Sequence, residues 1–495
     1  MKIILINPNP NLIMETTSVN LAPPMGLHVI GSFLMKNGYD IILIDTRMYS
    51  IEYVNDILKK HLPDTDFVGM SVMTAQISSA IYWCEKINSN KSFNGKIIWG
   101  GIHPSILPEQ VVEGGIDYAI IGEGEQPILD LVEGKKELKD IKGICYNDGN
   151  KIIKTNNSEP FDMERIPLTE WSLLPIEKYL KTYFPYQGNL RQVQIQTSRG
   201  CSYQCTFCVN TILPNYNKWR VRPIDSVREE IRVAKEELHA DEIAFRDENF
   251  FIDKNRALEI AKICKEYGLK WEANCRANYF RDNFIDKEYL KQLEENGCIG
   301  FGIGSESGTN RILKKLKKAI TTDDIIRSAE MLSHTKITGL YSFMTGIPTE
   351  TKKEMMNTVN IMKKLVSIHD KIFFSNVAIL RPYIGSEIYK ECLTYGYKDP
   401  TSLIGWANED LVSFRGAKDL SDYPWIKKKD ANFVYAISLY TQFGLTPLNL
   451  APSKGIWFFT LLSKIRLKLN FWYLPYEYKI FLWIKKQVEI IIKGK

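Results

Sequence analysis

Short apolar runs recur along the first 145 residues, each separated from the next by a longer amphipathic stretch. KIILINPN, DIILIDTR, FVGMSVMT, KIIWGGIH and YAIIGEG are rich in Ile and Val, and each has the length of a strand. Between the first two lies GLHVIGSFLMKNGY, which has helical periodicity and a glycine stop. This alternation predicts a doubly wound, Rossmann-like parallel sheet, which takes ligands at the carboxyl ends of its strands. Those ends carry Ser71, then Gly100-Gly101-Ile102-His103-Pro104, then Gly122-Glu123-Gly124-Glu125.

Residues 146–190 interrupt the pattern. NDGNK is a turn, KIIKTNN a short strand or hairpin arm, and EPFDMERIPLTEW an irregular run with spaced prolines. From 191 to 400 the alternation returns. QVQIQTS, EIAFRDEN, KWEANCRA, CIGFGIGS, LYSFMTGI and FFSNVAIL read as strands. SVREEIRVAKEELHA, KNRALEIAKICKEYG, KEYLKQLEENG and EMMNTVNIMKKLV read as helices. These units predict a partial (β/α)6 barrel of TIM type, with its chemistry at the C-terminal strand ends. Residues 401–495 lose the alternation and read as mostly helical. The expected fold class is therefore α/β: a Rossmann-like domain (1–145), a connector (146–190), a barrel core (191–400) and a C-terminal helical region (401–495).

Composition adds little beyond class. The chain has 495 residues, 44% hydrophobic and 25% charged, as expected of several globular domains. Its N-terminus, MKIILINPNP, reads as a strand and not as a signal peptide. Nine mostly scattered cysteines argue against a disulfide framework and for a reducing cytoplasm. Charge changes the picture more. The net charge is +6, yet residues 454–495 alone hold nine Lys or Arg against two Glu, so the rest is close to neutral. No basic groove for nucleic acid is expected. The tail mixes its lysines with Trp457, Phe458, Phe459, Phe471, Trp472 and Trp483, and Pro475 divides it into two expected helices. It has no uncharged apolar run of bilayer length. Two readings stay open: peripheral membrane contact through residues 455–495, or a cap packed on the barrel.

Three cysteines are not scattered. Cys201, Cys205 and Cys208 follow the first barrel strand on a loop opened by Gly200. Three thiols with no nearby fourth cysteine or histidine make a poor closed zinc site. An iron–sulfur cubane held by three thiolates leaves one iron open. A chance cluster, or a zinc site borrowing a distant ligand, is the alternative from spacing alone.

The spacing Cys-x3-Cys-x2-Cys, with Phe207 before the last cysteine, resembles the radical S-adenosylmethionine (radical SAM) superfamily. The resemblance implies a 4Fe-4S cluster on the three cysteines. Its open iron would chelate the amine and carboxylate of S-adenosyl-L-methionine (SAM), and one electron would release a 5′-deoxyadenosyl radical. Later strand ends are similar to the same family. Asp247 and Glu248 would accept hydrogen bonds from the SAM ammonium or ribose; a helix N-cap with first-turn acids is the local alternative. Arg276 would clamp the SAM carboxylate; a rim salt bridge is the alternative. Ser305 and Glu306, in Gly302-Ile303-Gly304-Ser305-Glu306-Ser307, would meet the ribose hydroxyls. Gly346 would let the adenine approach the backbone. Lys315 and Lys318 read as solvated, and Cys275 and Cys298 as core thiols.

In the first domain, Pro23-Pro24-Met25-Gly26-Leu27, Gly38 and Asp45 resemble the start of the cobalamin-binding domain that precedes many radical SAM cores. The resemblance implies that Ser71, Gly100, Gly101, His103, Gly122, Glu123 and Gly124 line a cobalamin site; plain βα turns are the alternative. No histidine has an aspartate two residues before it, so the Asp-x-His-x-x-Gly element is absent and no lower axial histidine of that type is expected. His103 is expected near the nucleotide tail or the rim.

The resemblance extends over about residues 1–380. It implies an oxygen-sensitive, anaerobic, cytoplasmic enzyme that carries out cobalamin-dependent methyl transfer. The acceptor would be an unactivated carbon, or a phosphinate phosphorus, of a small or lipid-like substrate. Flavodoxin or ferredoxin would supply electrons. Two alternatives accompany it: radical SAM cyclisation, carbon–carbon coupling or oxidation without methyl transfer, and a cobalamin-binding sensor or carrier with a vestigial barrel.

Overall fold

A computed structural model of the chain describes residues 1–10, 22–180, 190–375, 377–408, 423–445 and 454–472. Seven strands form the first sheet: β1 (Lys2–Asn7), β2 (Asp40–Asp45), β3 (Phe67–Ser71), β4 (Lys96–Gly100), β5 (Tyr118–Ile120), β6 (Ile144–Asn147) and β7 (Ile152–Lys154). Their spatial order is β2-β1-β3-β4-β5-β6-β7. The first five are parallel and the last two antiparallel. Chain order reverses between β1 and β3, which opens a crevice at their carboxyl ends.

Ile3, Ile4, Leu5 and Ile6 are fully buried because both faces of the sheet are covered. Helices Met25–Lys36 and Glu125–Glu133 pack on one face, and Ile51–His61 and Ile77–Asn88 on the other. The KIIKTNN segment supplies the second arm of the β6–β7 hairpin, which runs past residue 145 and covers what would be an exposed β5 edge.

The second sheet comprises β8 (Gln192–Ile195), β11 (Glu242–Phe245), β12 (Lys270–Cys275), β13 (Cys298–Glu306), β14 (Thr338–Thr345) and β15 (Ile372–Phe374), all parallel and in that spatial order. The FFSNVAIL run supplies both β15 and β16 (Ala378–Ile379), which lies alongside β14. Between β8 and β11 a two-stranded ribbon, β9 (Ser198–Arg199) and β10 (Arg220–Val221), stands off the sheet. Strands β8 and β15 remain edges, so the barrel is partial.

Alternation along these strands sorts the two faces. Val193, Ile195, Phe245, Trp271, Phe301, Ile303, Tyr341 and Phe343 are buried in the core beneath the outer helices. On the opposite face Asn274 is exposed, and Glu272, Gly302 and Ser342 are half-buried. A filled barrel would bury that face as well; here it borders an open lumen.

The C-terminal region divides. Helix Leu403–Asn408 returns to the first domain, where Trp406 Nε1 donates to Gln110 Oε1 at 3.1 Å. Helices Lys428–Gly444 and Lys454–Leu469 pack together, and Val434, Ile437, Tyr440, Leu467 and Trp472 join the barrel core. Trp457, Phe458 and Phe471 are exposed and Phe459 is half-buried. Trp483 and Pro475 lie outside the described residues. Among the described residues, no helix is long and apolar enough to cross a membrane.

Candidate functional site

The β9–β10 ribbon closes the base of an excursion, residues 200–219, that carries Cys201, Cys205 and Cys208. Gly200 opens it at φ 89°, and a Cβ there would collide with the Lys218 carbonyl oxygen. Only glycine meets both conditions. Backbone bonds hold the loop on three sides. Cys201 N donates to Tyr216 O at 2.8 Å, Thr206 N to Leu316 O at 3.0 Å, and Ile388 N to Thr206 O at 3.1 Å. Phe207 packs against Ile312, Leu316, Ile347, Leu380 and Ile388, which accounts for an aromatic residue before the last cysteine.

All three thiols are free. Burial pushes the Cys208 thiol up; Cys205 and Cys201 add to the push and Lys318 opposes it, so the three sulfurs and that ammonium share one neighbourhood. Among the described residues, no three His, Cys, Asp or Glu side chains converge on a single-ion site. A three-thiol donor set of this kind fits an iron–sulfur cubane, whose ligands bind separate irons.

The strand ends around this loop differ from expectation in informative ways. Asp247 is fully buried, and its carboxylate accepts from Thr197 N (2.7 Å), Thr197 Oγ1 (2.6 Å) and Ser198 Oγ (2.5 Å). It fastens the start of the cysteine loop and has no free face for a ligand, which corrects its expected contact with SAM. Glu248 is half-buried and accepts from Gly200 N at 3.2 Å; burial pushes its carboxyl up.

Arg276 lays its guanidinium over the Tyr203 ring at 3.4 Å and donates to Lys318 O, and among the described residues it forms no salt bridge. Among the described residues, the buried Ser305 and Ser307 hydroxyls have no partner. Such orphans point to a missing hydrogen-bonding ligand. Glu306, at φ 63°, meets Lys318 Nζ at 2.8 Å.

Lys318 is therefore no solvated lysine: it is 8% exposed and belongs to the site. The run Lys314-Lys315-Leu316-Lys317-Lys318 hides it among surface charges, and only the apolar Leu316, two positions earlier, hints at burial. Lys315 pairs with Glu391 at 2.6 Å. Gly346 keeps its expected freedom, at φ 74°, but both its backbone groups are taken. Its N–H donates to Glu350 at 2.9 Å, and its carbonyl accepts from Trp425 Nε1 at 2.7 Å. It therefore offers a ligand shape and no hydrogen bonds. Cys275 and Cys298 are buried core thiols.

Beneath this rim the lumen is polar. Arg246 pairs with Glu272 at 3.3 Å, and Asn274 Nδ2 donates to the Asp247 carbonyl at 3.1 Å. Gly302 leaves room for Asn274: a Cβ there would sit 2.6 Å from its Oδ1. Glu242 lies deeper, and burial pushes it up to about 7.

In the first domain, Ser71, Gly100 and Gly101 lie together where β3 and β4 end. Gly101 takes φ 98°, and a Cβ would approach Ser71 Oγ and Val72 N to 3.0 Å. Ser105 Oγ links the next loop, accepting from Gly122 N at 2.9 Å and donating to Gly101 O at 2.7 Å. These small residues leave backbone as the surface of the crevice. Gly124 lies against Ile30.

Two expected contacts change. His103 is not at a rim: it is 2% exposed, its ring centroid lies 5.7 Å from that of Trp406, and Thr74 Oγ1 is 3.3 Å from Nδ1. Burial holds it down to about 4, so it is neutral. Glu123 turns away from the crevice. Its carboxylate accepts from Arg199, Arg220 and Phe161 N, which leaves nothing for a corrinoid. Asp45 likewise is bound by Asn7, Arg47 and Tyr179.

Comparison with known proteins agrees with this layout. Residues 12–132 match the family model for the B12 binding domain, and residues 195–362 that for the radical SAM superfamily. An uncharacterized methyltransferase of Pyrococcus horikoshii is 30% identical over 401 residues, 79% of this chain and 83% of the relative. The cytidylyl-2-hydroxyethylphosphonate methyltransferase of Streptomyces wedmorensis is 26% identical over 451 residues, 81% of this chain and 83% of the relative. In fold, the chain is similar to the cobalamin-dependent S-adenosylmethionine radical enzyme OxsB with aqua-cobalamin bound. The TM-score is 0.72 at 18% identity, covering 94% of this chain and 72% of the other.

Proposed function

Because the chain belongs to the cobalamin-binding radical SAM enzyme family, we propose that it methylates an unactivated carbon, or a phosphinate phosphorus, of a small polar substrate. It is an enzyme, and its cofactors are a 4Fe-4S cluster, SAM and cobalamin. When bound, these supply a 5′-deoxyadenosyl radical and a transferable methyl group.

Each assignment to a residue is part of the proposal. Cys201, Cys205 and Cys208 hold the cluster. Arg276, with its guanidinium braced on Tyr203, and Lys318 present positive charge to the SAM carboxylate. Glu306, Ser305 and Glu248 accept from or donate to its ribose and ammonium. Ser71, Gly100 and Gly101 leave backbone bare for the flat corrin ring, while Gly122 and Gly124 shape the neighbouring loop, packed against Pro214 and Ile30. The lumen positions the substrate between the two cofactors, and such positioning can supply much of the rate.

Its side chains Gln194, Glu272, Asn274 and Ser342 are polar. This supports a substrate with hydrogen-bonding groups over a lipid. Oxygen-free turnover in the cytoplasm, an electron donor such as flavodoxin or ferredoxin, and membrane contact through the exposed Trp457, Phe458 and Phe471 complete the reading.

The observation that carries it is the three-thiol loop facing a glycine-lined crevice within one chain. Anaerobic reconstitution followed by iron, sulfide and corrinoid assay tests it. About four irons and one corrinoid per chain are expected. With reductant and the correct substrate, S-adenosylhomocysteine and 5′-deoxyadenosine should appear together. 5′-Deoxyadenosine alone would favour cyclisation, coupling or oxidation, and absence of a cluster would overturn the reading.

A further inference from the structure

The two cofactor-bearing loops grip each other through buried charges. Arg199 and Arg220 face one another across the β9–β10 ribbon, at the base of the cysteine loop. Both reach into the first domain. Arg199 Nη1 donates to Glu123 Oε1 at 3.2 Å, and Nη2 to Glu125 Oε1 at 2.6 Å. Arg220 clasps Glu123 from the other side, Nη1 to Oε2 at 2.9 Å and Nη2 to Oε1 at 2.8 Å. The side chains of Glu123, Glu125 and Arg199 are 1%, 3% and 8% exposed. Two cations and two anions balance.

A cluster of this kind is an expensive way to gain stability. Desolvation offsets most of its Coulomb energy, and apolar packing of equal volume often does better. What it supplies is direction. Each guanidinium is a rigid planar fork that fixes angle as well as distance. Arg199 immediately precedes Gly200 and Cys201, while Glu123 sits in the loop that ends β5 and Glu125 opens the helix that follows it. Pro214, later in the cysteine excursion, closes on the same loop: a Cβ on Gly122 would be 3.4 Å from it.

We propose that Arg199, with Arg220, Glu123 and Glu125, is a positioning device that fixes the offset between the cysteine loop and the corrinoid-side loop. None of the four touches a reacting atom. The inference rests on the reading that both cofactors bind, and it assigns these residues the distance between them.

The test uses the full chain, reconstituted with iron, sulfide and hydroxocobalamin and then reduced so that cluster and Co(II) are both paramagnetic. Magnetic coupling between the two spins reports their separation. In R199K, which keeps charge but loses the fork, loading and melting temperature should stay near the unmodified protein while the spread of couplings at least doubles. R220K, which keeps charge but loosens the other fork on Glu123, should do the same to a smaller degree, and it serves if R199K does not fold. Couplings unchanged in a folded, fully loaded variant would overturn the proposal. An unmodified protein that takes up cluster but no corrinoid would instead overturn the functional reading, and this inference with it.

Discussion

Lys318 Nζ lies 2.8 Å from Glu306 Oε1, and the two side chains are 10% and 9% exposed. Breaking such a pair strands a charge, at a cost of about 3–5 kcal/mol. K318M is expected to lower unfolding free energy by about that amount and SAM affinity at least about tenfold. K318R should recover stability more than affinity. Denaturant titration and calorimetric binding of SAM check the two effects separately.

The cysteines should fail together. C201A, C205A or C208A is expected to fold, because none of the three thiols is in a disulfide and only Cys205 is buried, yet each should lose most of its iron on reconstitution. SAM cleavage should fall at least about a hundredfold, since every route to it passes through the cluster. Iron retained at the unmodified level in all three variants would contradict the assignment.

Gly200 makes a backbone prediction. G200A must leave φ 89° or push against the Lys218 carbonyl, and the strain should cost about 2–4 kcal/mol. Iron loading should fall with stability, because the same turn aims Cys201. Circular dichroism melts and iron assay on one preparation would show whether the two losses coincide.

His103 gives a pH dependence with a definite sign. Burial lowers it from 6.5 to about 4, so between those values the unfolded chain holds more protons than the folded one. Its contribution is complete above pH 6.5 and is lost as pH falls toward 4, by about 3 kcal/mol in all. In H103F that part of the slope should vanish from urea titrations across the same range. A slope unchanged by H103F would place the titrating group elsewhere.

Local pattern carried most of the architecture. KIILIN and DIILID are apolar on both faces, as buried parallel strands must be, and the cysteine spacing is complete within eight residues, so both could be read directly. Pairings over long separations could not. Asp247 is an acid at a strand end in any reading; that Thr197 and Ser198 consume it depends on β8 and β11 lying side by side. Glu123 looked like part of a ligand loop because nothing nearby in sequence predicts two arginines 76 and 97 residues away. Lys318 was lost for a related reason: a lysine in a basic run is normally solvated, and only the fold places Glu306 beside it. His103 was displaced by Trp406, from a helix whose docking site no periodicity reveals.

That helix has a consequence for biosynthesis. Trp406 and Gln110 are 296 residues apart in the chain. At about 5–20 residues per second, roughly 15–60 s of translation separate them. For that interval the nascent first domain stands outside the ribosome without Leu403 and Trp406, so its apolar surface around Trp83 and Val111 is uncovered and His103 is not yet sealed. Chaperone supply and translation speed therefore bear on the yield of this chain more than its final packing would indicate.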